Sequence, residues 1–93
     1  MLEEEILIAS LEGRVVELYS RRGISGVLVS VGGRSVVTDA NGLFRIEFSP
    51  SRSVSVTAQH RDFEGYSEAL NLSENVAYSI DDILLRQTRV RAL

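Results

Sequence analysis

The chain has 93 residues, of which 44% are hydrophobic and 25% charged, and its formal net charge is −3 at pH 7. This length and composition fit one globular domain with a single modest core rather than a disordered segment. The absence of cysteine excludes disulfides, thiolate metal sites and thiol catalysis. The negative charge argues against general nucleic-acid binding, and no apolar run approaches the roughly 18 residues of a membrane span.

All ten basic residues are arginine, which excludes lysine Schiff-base chemistry and Lys–Asn isopeptide crosslinks. The bias is typical of a GC-rich genome or of a thermophile. Glu3, Glu4 and Glu5 stand where a secretory signal peptide carries positive charge, so we predict no signal peptide within this chain. The compartment stays open, because a module cut from a longer exported protein would have the same sequence.

The first predicted element is a long β-strand over residues 6–18, bent near Gly13. Its β-branched residues favour a strand over the alternative, a helix spanning residues 2–18. These residues are Ile6, Ile8, Val15 and Val16. A polar loop over residues 19–23 is expected to follow.

Alternation of apolar and polar residues then predicts four strands, at 27–31, 34–38, 43–48 and 53–59. The pair Gly32-Gly33 indicates a hairpin, and the segment Asp39 to Gly42 indicates a tight turn. That turn sets the register that buries the apolar face of the following strand. The predicted core includes Val27, Val29, Phe44, Ile46, Val54 and Val56.

The last third of the chain is predicted as a loop over residues 61–65 and strands over 66–72 and 76–85. Apolar alternation changes parity within the last strand, so we predict a β-bulge at Asp81-Asp82. Residues 87–93 are predicted as a loose tail. About seven strands without a helix predict an all-β domain over residues 1–93, with its core at about 6–86, folded as a seven-stranded antiparallel Greek-key β-sandwich.

Three short motifs follow one another in order: Gly13-Arg14-Val15, Gly26-Val27-Leu28-Val29, and Thr38-Asp39-Ala40-Asn41-Gly42-Leu43-Phe44. In this order and spacing the chain resembles the carboxypeptidase regulatory-like domain, a transthyretin-like or prealbumin-like sandwich, over about residues 11–86. Gly65-Tyr66 matches a glycine followed by an aromatic residue in that family. Ile24-Ser25 departs from it, because a proline often precedes the second motif.

The resemblance implies a non-catalytic accessory module beside a catalytic or surface domain, in a family that is mostly extracellular or on the cell surface. The related hydroxyisourate hydrolases use several histidines and a C-terminal Tyr-Arg-Gly-Ser signature. This chain has one histidine and ends Arg89-Val90-Arg91-Ala92-Leu93. We therefore exclude that enzymatic branch.

The titratable residues give little support for catalysis or a cofactor. His60 is the one histidine, with Asp62 and Glu64 as its nearest acidic neighbours in sequence, and we interpret it as structural or solvent-facing. We predict no zinc and no cofactor. Asp39 and Asn41 fit a turn better than a calcium loop. Asp81 and Asp82 are adjacent on a predicted strand and would point to opposite faces, so they do not naturally converge on one ligand.

The candidate contact residues are three aromatic side chains in or near loops, Tyr19, Phe63 and Tyr66. A glycan stacked on exposed aromatic rings is one interpretation, and core packing or loop anchoring is the alternative. The favoured function is a structural or protein-interaction module whose edge strands bind a protein partner or a second copy. Glycan binding is the second hypothesis and hydrolysis the third. The acidic N-terminal and basic C-terminal residues could also pair within or between molecules.

Overall fold

The computed structural model describes residues 8–49, 53–71 and 77–88. Within these ranges the chain forms eight strands and no helix, which confirms the all-β prediction. The strands are β1 (Ala9–Glu17), β2 (Leu28–Val31), β3 (Arg34–Val37), β4 (Leu43–Phe48), β5 (Ser53–His60), β6 (Phe63–Asn71), β7 (Ala77–Ser79) and β8 (Ile83–Leu85).

The strands form two sheets packed as a sandwich, as predicted. Sheet I has the order β4-β1-β7, with β8 also paired to β1, and sheet II has the order β3-β2-β5-β6. β4 runs antiparallel to β1, whereas β7 and β8 run parallel to it. All pairs of sheet II are antiparallel.

The core lies between the sheets and follows the predicted alternation. Along β4 every second residue is buried and the residues between are exposed. This register puts the large side chains Phe44, Ile46 and Phe48 inside the sandwich, where their burial stabilises the fold. All six predicted core residues are buried: Val27, Val29, Phe44, Ile46, Val54 and Val56.

The ends of β1 differ from the prediction. The strand covers Ala9–Glu17, whereas residues 6–18 were expected. Ile8 precedes the strand and is 56% exposed, and residues 6 and 7 lie outside the described residues. The register pairs Ala9 with Phe48, the last residue of β4, so β1 begins where its partner ends.

The single strand predicted over residues 76–85 is wrong, because two short strands replace it. β7 and β8 are separated by Ile80, Asp81 and Asp82, and both aspartates are exposed. The Ile80 N–H still donates to Glu12 O at 3.1 Å, after which the chain leaves β1 and returns with Ile83 buried. The parity change is therefore absorbed by a break in the strand, not by the predicted bulge.

The loop predicted over residues 61–65 is also wrong, because the chain turns within Arg61 and Asp62 and β6 begins at Phe63. A register shift between Ala58 and His60 takes up one extra residue in β6, because Glu64 and Gly65 lie opposite Gln59 alone. The start of β6 is bonded on its other side as well.

The chain after β8 is bonded to the start of β6, where a loose tail was predicted. Gln87 bridges to Phe63, and the Thr88 N–H donates to Asp62 O at 3.1 Å. Residues 89–93 of the predicted tail lie outside the described residues. The chain is therefore held to the sandwich at least as far as Thr88.

Two connections that cross between the sheets, residues 18–27 and 38–42, are bonded to each other through Thr38. Its side chain is buried, accepts the Val27 N–H at 2.9 Å and donates to Ile24 O at 2.6 Å. The Thr38 backbone N–H also donates to Val27 O at 3.0 Å. We call Ile24, Val27, Thr38, Asp39 and Gly42 the junction.

The turn of the second connection depends on Asp39 and Gly42. Asp39 Oδ1 accepts the N–H groups of Asn41 and Leu43 at 2.8 and 2.9 Å. Gly42 has φ +81°, and a Cβ added there would lie 2.3 Å from Val15 O. Glycine is therefore required both by backbone conformation and by the close approach of β1.

We expect Thr38→Val to lower the free energy of unfolding by about 1–3 kcal/mol. Valine keeps the shape of threonine but leaves the buried Val27 N–H without its side-chain acceptor. Denaturant unfolding measures the change. The control is Thr57→Val on β5, whose side chain is half-buried, for which we expect less than half the loss. Equal losses in both variants would contradict the role of Thr38.

Candidate functional site

Tyr19 lies in the turn that follows β1 and is 76% exposed. The Glu17 carboxylate accepts the N–H groups of Tyr19 and Ser20 at 3.0 and 2.8 Å. These backbone hydrogen bonds favour the charged form and hold the pKa of Glu17 below its usual value. The turn therefore presents Tyr19 to solvent from a hydrogen-bonded backbone.

Phe63 is half-buried at the start of β6 and packs against the core. Its ring meets the His60 ring edge-on, with centroids 5.3 Å apart and planes at 82°. His60 Nδ1 accepts the Asp62 N–H at 3.1 Å, so the neutral imidazole carries its proton on Nε2. Both rings line an open groove of about 800 Å³, together with Gly26, Leu28 and Gln59.

Tyr66 is half-buried further along β6 and also packs against the core. Its hydroxyl donates to the Glu68 carboxylate. Burial, with the hydrogen bond and charge of Glu68, raises the pKa of Tyr66 to about 12. Tyr66 lines a second groove of about 360 Å³ between β6 and residues 79–82.

The three predicted contact residues are therefore not brought together in one groove. Phe63 and Tyr66 line different grooves, and Tyr19 lines neither of them. Phe63 is paired with His60 and Tyr66 with Ala58, so the register shift keeps both side chains on the face of β6 that packs against the core. They line different grooves because they lie at different points along the strand. Each remains a candidate contact by itself, with Phe63 and Tyr66 also anchoring β6 to the core.

The raised pKa of Tyr66 predicts a stability change at alkaline pH. Folding favours the neutral phenol, so its contribution is complete below the unfolded pKa of about 10 and is lost as pH rises towards about 12. The measurement is a titration of phenolate absorbance in the folded protein and in Tyr66→Phe. The difference between the two curves belongs to Tyr66, and we expect its midpoint at a pH of about 12. A midpoint near 10 would show that Tyr66 is solvated.

A third groove, of about 600 Å³, lies on the outer side of sheet I and was not predicted from the sequence. Its charged residues have both signs: Glu12, Arg14, Asp39, Arg45 and Asp82. Arg14 Nε donates to Asn41 O at 3.0 Å, so this guanidinium supports the turn of the junction. The alternation of polar residues along β1 and β4 was the available signal for this surface.

The histidine and carboxylate side chains of the described residues do not form a metal-binding cluster. His60 Nδ1 lies 4.0 Å from the exposed Asp62 carboxylate, and the same nitrogen already accepts a backbone hydrogen bond. In the ranges 8–49, 53–71 and 77–88, no three histidine or carboxylate side chains converge as metal ligands. In the same ranges no helix is long and apolar enough to cross a membrane.

β4 has an open backbone edge. The Val15 N–H donates to Gly42 O at 2.8 Å, and these residues are opposite each other in the β1–β4 register. Hydrogen-bonded pairs alternate in an antiparallel ladder, so Phe44 and Ile46 bond to β1 while Arg45 and Glu47 direct their N–H and C=O groups outward. Asp39 occupies the first outward position by bonding to Leu43.

A groove of about 300 Å³ lies along this edge, between β4 and β3, and we call it the edge groove. It is lined by Arg34, Ser35, Val36, Arg45, Ile46 and Glu47. No backbone hydrogen bond to Arg45 or Glu47 is formed from this side by any described residue outside the ladder. The edge groove therefore offers unpaired backbone groups beside apolar surface.

The edge formed by β6 is less suited to pairing. Its first residues are covered, since the Glu64 N–H donates to Arg86 O at 2.8 Å. Glu68 stands opposite the buried Val56 in the register, so its carboxylate is on the inner side of an edge strand. An inward-facing charge of this kind opposes strand addition.

No model of a known protein family matches the chain, and comparison with curated proteins gives no match.

Proposed function

We propose that the chain is a non-catalytic, transthyretin-like β-sandwich module, similar to the carboxypeptidase regulatory-like domain, that acts as a structural or protein-interaction domain. The observation that carries this proposal is the use of the motif from Thr38 to Phe44. Its distinctive side chains are engaged in the junction or the core: Thr38 and Asp39 in hydrogen bonds, Gly42 in the turn, and Phe44 in burial.

The other two motifs contact the same region, which supports the resemblance. Gly13 pairs with Phe44, and a Cβ there would lie 3.0 Å from Phe44 Cζ and 3.0 Å from Ile80 Cγ1. Glycine at this position therefore makes room for the ring. Val27 and Val29, from the second motif, are fully buried. The described contacts of all three motifs are therefore contacts that build the fold.

An activity screen tests the non-catalytic part of the proposal. We expect no turnover above buffer with a panel of ester, peptide and glycoside substrates. The hydroxyl–carboxylate contacts formed by Ser79 with Glu12, at 3.3 Å, and by Tyr66 with Glu68 involve exposed carboxylates and no histidine. His60→Ala serves as the control variant, since His60 is the one candidate base of its type. Turnover by the natural chain that His60→Ala removes would overturn the proposal.

The interaction part of the proposal rests on the open edge of β4. Strand addition needs unpaired N–H and C=O groups and space for alternate side chains, and the edge groove offers both. The edge at β6 is covered or blocked by charge. A partner of extended conformation is therefore the class of ligand that this surface suits best.

Glycan binding is a second candidate, favoured by the groove at Phe63. Gly26 and Gly65 leave it open, and Leu28, Gln59 and Phe63 give it apolar and hydrogen-bonding surface. We expect titration with a glycan panel to shift the NMR signals of Phe63, with the buried Phe48 as a control that a surface ligand does not reach. The absence of shifts at millimolar glycan would rule out this candidate.

A further inference from the structure

We propose that the open edge of β4 binds the N-terminal segment of a second copy of this chain, residues 2–8, as an added strand. The proposal rests on the interaction function proposed above and names its site and occupant. We call residues 2–8 the arm; its sequence is Leu-Glu-Glu-Glu-Ile-Leu-Ile. One arm and one edge groove belong to each copy, so every association between copies uses the same pair of surfaces.

The backbone of the edge groove provides the hydrogen-bonding part of the site. Arg45 and Glu47 direct two N–H and two C=O groups outward, by the alternation that follows from the Val15–Gly42 bond. Their side chains are exposed and lie on the outer face of sheet I. Along β4 these two side chains therefore point away from the open backbone edge, and Arg34, Ser35 and Val36 of β3 form the opposite wall of the edge groove.

The arm has strand-forming residues, and the described pairing of β1 with β4 starts at Ala9. The register pairs Ala9 with Phe48, and continuing it would place residue 7 opposite Pro50, which has no N–H. Ile8, the one described residue of the arm, is 56% exposed. Pairing of the arm with another copy would bury the exposed side chain of Ile8.

Charge and shape favour this occupant in the edge groove. The arm carries Glu3, Glu4 and Glu5, and the groove is lined by Arg34 and by Arg45, whose Nη1 lies 3.7 Å from the Glu47 carboxylate. Exposed ion pairs add little affinity but set orientation. Between them, the half-buried Val36 offers apolar surface to the arm.

The position of β1 favours a second copy over the same molecule. β1 is an inner strand of sheet I, with β4 on one side and β7 on the other. The arm directly precedes Ala9, the first residue of β1. To reach the edge groove of the same molecule, it would have to pass around the end of β4 and reverse its direction. A second copy presents the same groove without that reversal.

Cysteine crosslinking tests the proposal directly, because the chain contains no cysteine. Two single variants, Leu7→Cys and Glu47→Cys, are mixed and oxidised mildly at micromolar concentration. We expect a disulfide-linked heterodimer with twice the mass of the 10.3 kDa chain. The matched control mixes Leu7→Cys with Arg22→Cys, which lies in the exposed turn after β1, and should give at least tenfold less heterodimer.

Charge exchange gives an independent readout in sedimentation experiments. We expect Arg34→Glu with Arg45→Glu to weaken self-association, because like charges then face each other across the interface. Glu3→Arg with Glu5→Arg in the same chain should restore it. Equal heterodimer yields in the test and control mixtures, or a strict monomer at all concentrations, would overturn the proposal. So would a disulfide within one chain of the Leu7→Cys, Glu47→Cys double variant, which would place the arm in its own groove.

These outcomes are separate from the proposed function. A strictly monomeric protein would contradict the binding of the arm by a second copy, but it would not contradict the proposal of a non-catalytic module. Turnover in the substrate screen removes that function whether or not the copies associate.

Discussion

Replacing Phe44 with alanine is expected to lower the free energy of unfolding by about 3–5 kcal/mol. The ring is 6% exposed, lies in the core and covers the space that Gly13 leaves open. Removing it deletes buried apolar surface and leaves a cavity between Gly13 and Ile80. Domains of this size have about 5–15 kcal/mol of stability in total, so the variant should be marginally folded. Denaturant unfolding monitored by circular dichroism measures the loss.

Leu43→Ala is the matched control for Phe44→Ala. Leu43 is the next residue on β4, points to the opposite face and is 48% exposed. We expect a loss of less than about 1 kcal/mol, since surface substitutions away from special features have small effects. Similar losses in the two variants would show that the register of β4 is not the one described.

Gly42→Ala is expected to destabilise the protein by about 2–5 kcal/mol. The φ angle of +81° costs a side-chain-bearing residue about 1–2 kcal/mol. The added Cβ would also lie 2.3 Å from Val15 O and 2.8 Å from Ile24 N, which adds a crowding cost of about 1–3 kcal/mol. Thermal and denaturant unfolding of the purified variant measure the sum.

Two other glycines separate these contributions. Gly33 has φ +85° with no atom within 4 Å of an added Cβ, so Gly33→Ala measures the conformational cost alone. Gly65 has open space and no unusual φ, so Gly65→Ala should change stability least. A Gly42→Ala variant no less stable than Gly33→Ala would contradict the close approach of the turn to β1.

The central strands were predictable because their signals are local. Alternation along β4 and β5 fixes which side chains face inward, and a slip of one residue would expose Phe44 and Ile46. The glycine and aspartate of the turn at Asp39 fix its geometry through bonds within four residues. Such features need no knowledge of the rest of the fold.

The final strands were not predictable in the same way, since their partners are distant in sequence. β7 and β8 pair in parallel with β1, and the break at Asp81 and Asp82 exists because Ile83 must face the core after Ile80 bonds to Glu12. A change of parity in a sequence fits a bulge and a break equally well. The choice depends on the strand beside it.

The sequence predicted candidate contact residues, but it did not predict how these residues are arranged in the structure. Aromatic side chains near loops predicted Phe63 and Tyr66 as contacts, yet a register shift beside His60 brings both to the core-facing side of β6, where they line different grooves along the strand. The open edge of β4 had no signal in side-chain chemistry. The open edge follows from two sets of hydrogen bonds: Gly42 O accepts the Val15 N–H, and Asp39 bonds to the outward backbone groups of Leu43. These bonds are known only once the strands are paired.

The structural role of the motif from Thr38 to Phe44 depends most on the hydrogen bonds of the junction. Native-state hydrogen exchange measures this directly. We expect the amides of Val27, Thr38 and Leu43 to exchange at the slow rate of global unfolding, with Ala40 in the same exposed turn exchanging much faster. Exchange of the three amides at the rate of Ala40 would contradict a structural role for the motif.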